Sequence, residues 1–165
     1  MKIQSKYIFA IILLLISTEV INAQEISNFT LENTDGQIKR YSELKGDKIT
    51  VIDFWATWCK PCLVSIPKLV ELSDSYSDNR VKFIGICVEG PRNISKIKPF
   101  AESAGINYPI LIDQNHEVSG ELNISVIPTL LVIGPENKIL YTHEGFVAGD
   151  ETILKNEIDK MLNEQ

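Results

Sequence analysis

Ile49 to Trp55 reads Ile-Thr-Val-Ile-Asp-Phe-Trp, and after three more residues comes Cys59-Lys60-Pro61-Cys62. A continuous run of β-branched and aromatic residues predicts a strand buried on both faces. From Cys62 onward, Leu63, Ile66, Leu69, Val70 and Ser73 return at helical spacing. A helix therefore follows at once, with Pro61 in the first turn, where a missing N–H is tolerated, and Pro67 deeper in, where a kink is expected. The two cysteines lie where this buried strand turns into a helix. Asp53 is out of place: a carboxylate in the middle of an apolar strand.

The rest of the chain alternates in the same way. Phe29 and Leu31 before Asp35-Gly36, with Ile38 and Tyr41 after it, predict an N-terminal hairpin. Val81–Val88 and Pro109–Ile112 read as strands, with a helix between them over Ser95–Ala104 that Gly105 stops and Pro99 disturbs. A brief helix is expected between Asn115 and Leu122. Ile127–Ile133 and Lys138–Thr142 flank the turn Gly134-Pro135-Glu136-Asn137 and predict an antiparallel pair. Asp150 is expected to cap a last helix with Ile153, Leu154, Ile158, Met161 and Leu162 on its apolar face. Strands alternating with helices and closed by a hairpin make an α/β sheet of mixed strand directions.

Residues 1–23 are set apart from this pattern. Lys2 and Lys6 precede an apolar run from Tyr7 to Ile16, and Ile21-Asn22-Ala23 ends in a small residue. These are the three parts of a secretory signal peptide cleaved after Ala23, which leaves 24–165 as one domain in a bacterial periplasm. The apolar run falls short of the roughly 20 residues that cross a bilayer, although an uncleaved segment would tether the chain. Gln24 follows the cleavage point, so the thiol needed for lipid attachment is missing there. The net charge of −6 and the lack of a long Lys/Arg run argue against a nucleic-acid partner.

Export places Cys59, Cys62 and Cys87 where disulfides persist, yet three cysteines are too few and too unevenly spaced for a stapled scaffold. Their pattern favours redox chemistry. With Cys59 near a helix N-cap and Cys62 one turn on, the two sulfurs can close a small ring and carry two electrons. The positive end of the helix and Lys60 favour thiolate at Cys59, which makes it the nucleophile. Cys62, facing the helix packing, would resolve the mixed disulfide formed with a substrate. Asp53, raised in pKa by burial, would take the proton that Cys62 must lose, unless it only hydrogen-bonds backbone at a strand end.

Trp58-Cys59-Lys60-Pro61-Cys62, with Asp53 six places before the pair and Pro67 five places after it, resembles thioredoxin, and Ile127-Pro128-Thr129 is similar to its cis-proline loop. The signal segment, the N-terminal hairpin and the extra strand and helix between Val81 and Ile112 make the chain more similar to exported TlpA/ResA-like thiol-disulfide oxidoreductases. The resemblance implies a thioredoxin fold, a mixed central sheet flanked by helices with an N-terminal β-hairpin and an inserted strand-helix unit. It further implies a redox-active Cys59–Cys62 disulfide, a cis Pro128 lying against it, and Ile127 backbone free to pair with an extended substrate. Trp58, Lys60, Pro61 and Gly145 would support that groove. One departure stands out: many TlpA/ResA-like members carry Glu three residues after the second cysteine and Asn at the strand position, where this chain has Ser65 and Asp53. That departure weakens transfer of the subgroup's partner, an apocytochrome c awaiting haem.

The expected activity is therefore reduction of disulfides in exported proteins without a bound cofactor, with electrons supplied by a membrane redox partner. An oxidase of the same fold is the nearest alternative, since direction depends on potential. A copper or zinc carrier is the alternative of another class, but a Cys-x-x-Cys pair supplies two ligands of the usual four. Cys87 is expected in core packing, and His116 and His143 each stand alone, so no metal is expected. A peroxidase of peroxiredoxin type needs Thr three residues before its cysteine, and Thr57 is two before. Covalent haem needs His where Leu63 stands. The triplets beginning at Asn28, Asn93 and Asn123 would be glycosylated only in a eukaryotic secretory route.

Overall fold

A computed structural model describes residues 24–76 and 78–164, so the expected signal segment over 1–23 lies outside the described residues. The N-terminal hairpin forms from β1 (Thr30–Asn33) and β2 (Ile38–Arg40). Its turn is held by the Asn33 carboxamide, whose Oδ1 accepts the N–H groups of Asp35 and Gln37 at 2.9 Å each. Gly36 supplies the positive φ of 74°. One helical turn, α1 (Tyr41–Leu44), leads into β3 (Ile49–Trp55), and α2 (Lys60–Asp74) follows the cysteine turn. α2 runs on through Pro67, the expected point of a kink, to Asp74.

The inserted unit comprises β4 (Val81–Cys87), α3 (Ile97–Ser103) and β5 (Ile110–Ile112). The helix expected over Ser95–Ala104 is divided: Pro91–Lys96 is a 3-10 helix, and the α-helix begins at Ile97. Pro99 then falls in the first turn of α3, where its missing N–H has no intrahelical partner to lose. After the short α4 (Glu117–Glu121) come β6 (Thr129–Ile133), β7 (Ile139–Glu144) and α5 (Asp150–Asn163). β6 starts two residues later than expected, because Pro128 has no N–H for the ladder. Asp150 is not the cap of the last helix. Gly149, at φ 108°, holds the N-cap position, and Asp150 is the first helical residue.

The seven strands form one sheet in the order β2-β1-β5-β4-β3-β6-β7. β3, β4 and β5 are parallel, whereas β6 and β7 pair antiparallel at one side and β1 pairs antiparallel to β5 at the other. Every residue of β3 is buried, as a central strand covered on both faces requires. Ile49 and Val51 point to the face packed by Leu69 and Leu72 of α2 and Leu154 and Ile158 of α5. Ile52 and Phe54 join Ile84, Ile86 and Leu131 on the opposite face, packed with Tyr41, Val118 and Leu122. By strand alternation Asp53 and Trp55 share the α2 face with Val51.

Candidate active site

The sheet register assembles the site at one end of the strands. Trp55, the last residue of β3, lies opposite Cys87, the last of β4, and Phe54 lies opposite Thr129, the first of β6. Thr129 in turn faces Glu144, the last residue of β7. The turn carrying the cysteines, the segment after β4, the Ile127-Pro128 segment and the Gly145 segment therefore converge at the same sheet end. Main-chain hydrogen bonds tie them together: Val88 N–H to the Trp55 carbonyl at 2.9 Å, Asp113 N–H to the Cys87 carbonyl at 2.9 Å, and Gly145 N–H to the Pro128 carbonyl at 2.7 Å.

Cys59 is the N-cap of α2, and its sulfur accepts the Cys62 N–H at 3.2 Å. A cap position keeps the sulfur among the unpaired N–H groups that open the helix, where negative charge is favoured. Cys59 and Cys62 are joined by a disulfide, with Cα atoms 5.3 Å apart. Both are buried, at 3% and 0% exposure, while Lys60 and Pro61 are exposed beside them. Trp58 is 65% exposed, and Val126 and Val147, on the two neighbouring segments, are 45% and 67% exposed. Three apolar side chains on converging loops give a polypeptide something to bury around the disulfide.

Asp53 is 2% exposed, and among the described residues neither of its carboxyl oxygens has a hydrogen-bond partner. Burial alone pushes its pKa up to about 7. The indole N–H of Trp55 and the hydroxyl of Tyr108 are buried and likewise have no partner among the described residues. Tyr108 is pushed well above the ordinary tyrosine value, by burial first and by the Asp53 charge second. Ser65 is fully buried and donates to the Cys62 carbonyl at 3.2 Å.

The Ile127-Pro128 peptide bond is cis, as the resemblance implied. Gly145, at φ 78°, is brought against Pro128 by its N–H. Cys87 is buried in β4, and burial pushes its thiol up to about 12, with the charges of Glu89 and Asp53 adding to the effect. His143 does not stand alone: its Nε2 lies 2.8 Å from Asp150 and its Nδ1 3.3 Å from the Tyr141 hydroxyl. Sequence reasoning passed over Tyr108 and Glu89 altogether. A carboxylate two residues beyond a buried strand was the available signal for Glu89, but nothing in its neighbours named its partner.

Fold and disulfide together define a thioredoxin-fold dithiol protein. The chain belongs to the AhpC/TSA family, which matches residues 23–142. Thiol-disulfide oxidoreductase ResA of Bacillus subtilis is 33% identical over 113 residues, 68% of this chain and 62% of the relative, so the match spans less than two thirds of that protein. ResA of Geobacillus kaustophilus is 30% identical over 135 residues, 82% of this chain and 72% of the relative. A thioredoxin-like protein from Porphyromonas gingivalis superposes with a TM-score of 0.70 at 29% identity, covering 84% of this chain and 92% of its own. StoA from Bacillus subtilis does so with a TM-score of 0.64 at 25% identity, covering 78% and 93%.

Proposed function

We propose that the chain is an exported thiol-disulfide oxidoreductase that reduces disulfides of other exported proteins. The observation that carries this reading is the Cys59–Cys62 disulfide at the N-terminus of α2, with Cys59 as the cap. In the reduced protein the Cys59 thiolate attacks one sulfur of a substrate disulfide and expels the other as a thiolate. Cys62 then loses its proton to Asp53 and attacks Cys59, which closes the internal disulfide and releases the second substrate thiolate. Two electrons pass to the substrate. At 2% exposure that carboxyl is kept dry, and its pKa of about 7 suits proton uptake near neutrality.

Trp58, Val126 and Val147 supply apolar contact for an extended substrate segment, with Ile127 and Pro128 alongside and Lys60, Pro61 and Gly145 shaping the groove. Residues 1–23 direct export to the periplasm, and 24–165 form the working domain. A membrane redox protein returns electrons to the dithiol. The names of the ResA relatives support the dithiol chemistry.

Replacing Cys62 with Ser tests the cycle, because the first attack then has no resolving thiol. Mixed disulfides at Cys59 should accumulate with protein substrates and disappear on reduction. A variant that captures no partner, in a protein whose Cys59–Cys62 disulfide also does not exchange with a thiol buffer, would refute the assignment. Titration in that buffer also sets direction: a potential above about −150 mV would make the protein an oxidase.

A further inference from the structure

Glu89 is a carboxylate at 1% exposure, two residues past the end of β4. Its Oε2 accepts two hydrogen bonds, from the Thr57 hydroxyl at 2.6 Å and from the Thr57 N–H at 3.1 Å. Among the described residues no Lys, Arg or His pairs with it. Burying a carboxylate without a counter-ion is costly, and a neutral side chain could hold a loop at lower cost. What a neutral side chain cannot supply is charge.

Thr57 is two residues before Cys59, at most about 7 Å of chain. Between them the Cys59 N–H closes a turn onto the Ala56 carbonyl at 3.2 Å. Glu89 thus ties down the turn that presents Cys59 and holds a buried carboxylate on Thr57, two residues before it, in a poorly screened place. The other charged or titratable groups around this turn are already placed: Asp53 beneath on β3, Cys62 and exposed Lys60 on α2, and Cys87 on β4. Asp113 follows β5, with its carboxylate engaged by the N–H groups of Glu117, Val118 and Ser119.

We propose that Glu89, acting through Thr57, is a positioning residue whose buried charge restrains ionisation of Cys59, offsetting the helix N-terminus and holding the dithiol toward the reducing end of its range. This rests on the redox reading of the same disulfide. A less stable thiolate means a more stable disulfide, so reduced protein gives up its electrons more readily. The charge of Glu89 therefore selects the direction of electron flow.

The test compares Glu89→Gln with Thr57→Val in the full chain, reading the pH midpoint of Cys59 alkylation in reduced protein and the equilibrium with a defined thiol buffer. E89Q keeps the shape and removes the charge: the midpoint should fall by about half to one pH unit and the equilibrium should move about threefold to tenfold toward dithiol. T57V keeps the charge and removes one donor that neutralises it, so its midpoint should stay or rise. A role confined to holding the loop moves both variants the same way. An unmoved midpoint in E89Q, or a lowered one in T57V, overturns the proposal; T57V decides alone if E89Q does not fold. Failure of the wild-type disulfide to exchange at all would count against the oxidoreductase reading, and is seen separately in the same buffer.

Discussion

Gly85 lies directly beside Asp53 in the parallel β3–β4 ladder. A Cβ at position 85 would come within 3.0 Å of the Trp55 Nε1 and 3.3 Å of the Tyr108 ring. The absence of that one carbon lets two aromatic polar groups gather next to the buried carboxyl, which no cation approaches among the described ion pairs.

Asp53 is raised from 3.8 to about 7 in the folded protein, so the folded state binds more protons than the unfolded chain between those values. Stability therefore falls as pH rises through that window and stays low above it. Asp53→Asn should be more stable than the parent at pH 8, by on the order of 2–4 kcal/mol, and nearly equal to it below pH 4. Urea unfolding at the two pH values checks this. The same variant should slow resolution of a Cys59 mixed disulfide about tenfold or more near pH 7, read by stopped-flow release of substrate thiol.

Gly85→Ala should cost about 1–3 kcal/mol, since the rings it meets are themselves anchored in the core. Equal stability in thermal unfolding would show that Trp55 and Tyr108 can withdraw freely.

Gly46→Ala should cost more, about 3 kcal/mol or above, because its Cβ would stand 2.1 Å from the Ile49 carbonyl oxygen and 2.9 Å from the Lys82 nitrogen, both main chain. Gly120 lies inside α4 with nothing within 4 Å of the added carbon, so Gly120→Ala should stabilise by about 0.5–1 kcal/mol. Denaturant midpoints for the pair separate close approach from glycine content.

Asp150 accepts the Val147 N–H and meets His143 Nε2, each at 2.8 Å, and the Val147 bond, followed by His143, holds its carboxyl below the usual value of 3.8. A depressed acid contributes stability above its unfolded pKa and loses it as pH falls through the folded one. Asp150→Asn should lower the thermal midpoint by about 2–5 °C at pH 7 and by much less at pH 3. The same depression at both pH values would assign the effect to packing instead of charge.

The strand at Ile49–Trp55, the helix after Cys59 and the Asp35-Gly36 hairpin were legible because each rests on local periodicity or turn chemistry that neighbouring residues alone specify. The convergence of Pro128 and Gly145 was legible only by resemblance, since nothing local says that β6 must lie beside β3. His143 looked isolated because its partner, Asp150, comes after a turn whose shape Gly149 sets. Asp150 was misread as a cap for the same reason: a side chain that bonds backward to Val147 and His143 looks, in sequence, like one that bonds forward into a helix.

The chain by itself determined that two cysteines one helical turn apart would follow a buried strand bearing a carboxyl group, for covalent order and residue spacing suffice for that. Only the packed sheet decided which groups surround them. Glu89 reaches Thr57 across 32 positions of sequence, and Tyr108 reaches the neighbourhood of Asp53 from the far side of α3. Those meetings depend on strand register, and register is an energy of the whole core, summed over side chains that no short stretch of sequence contains.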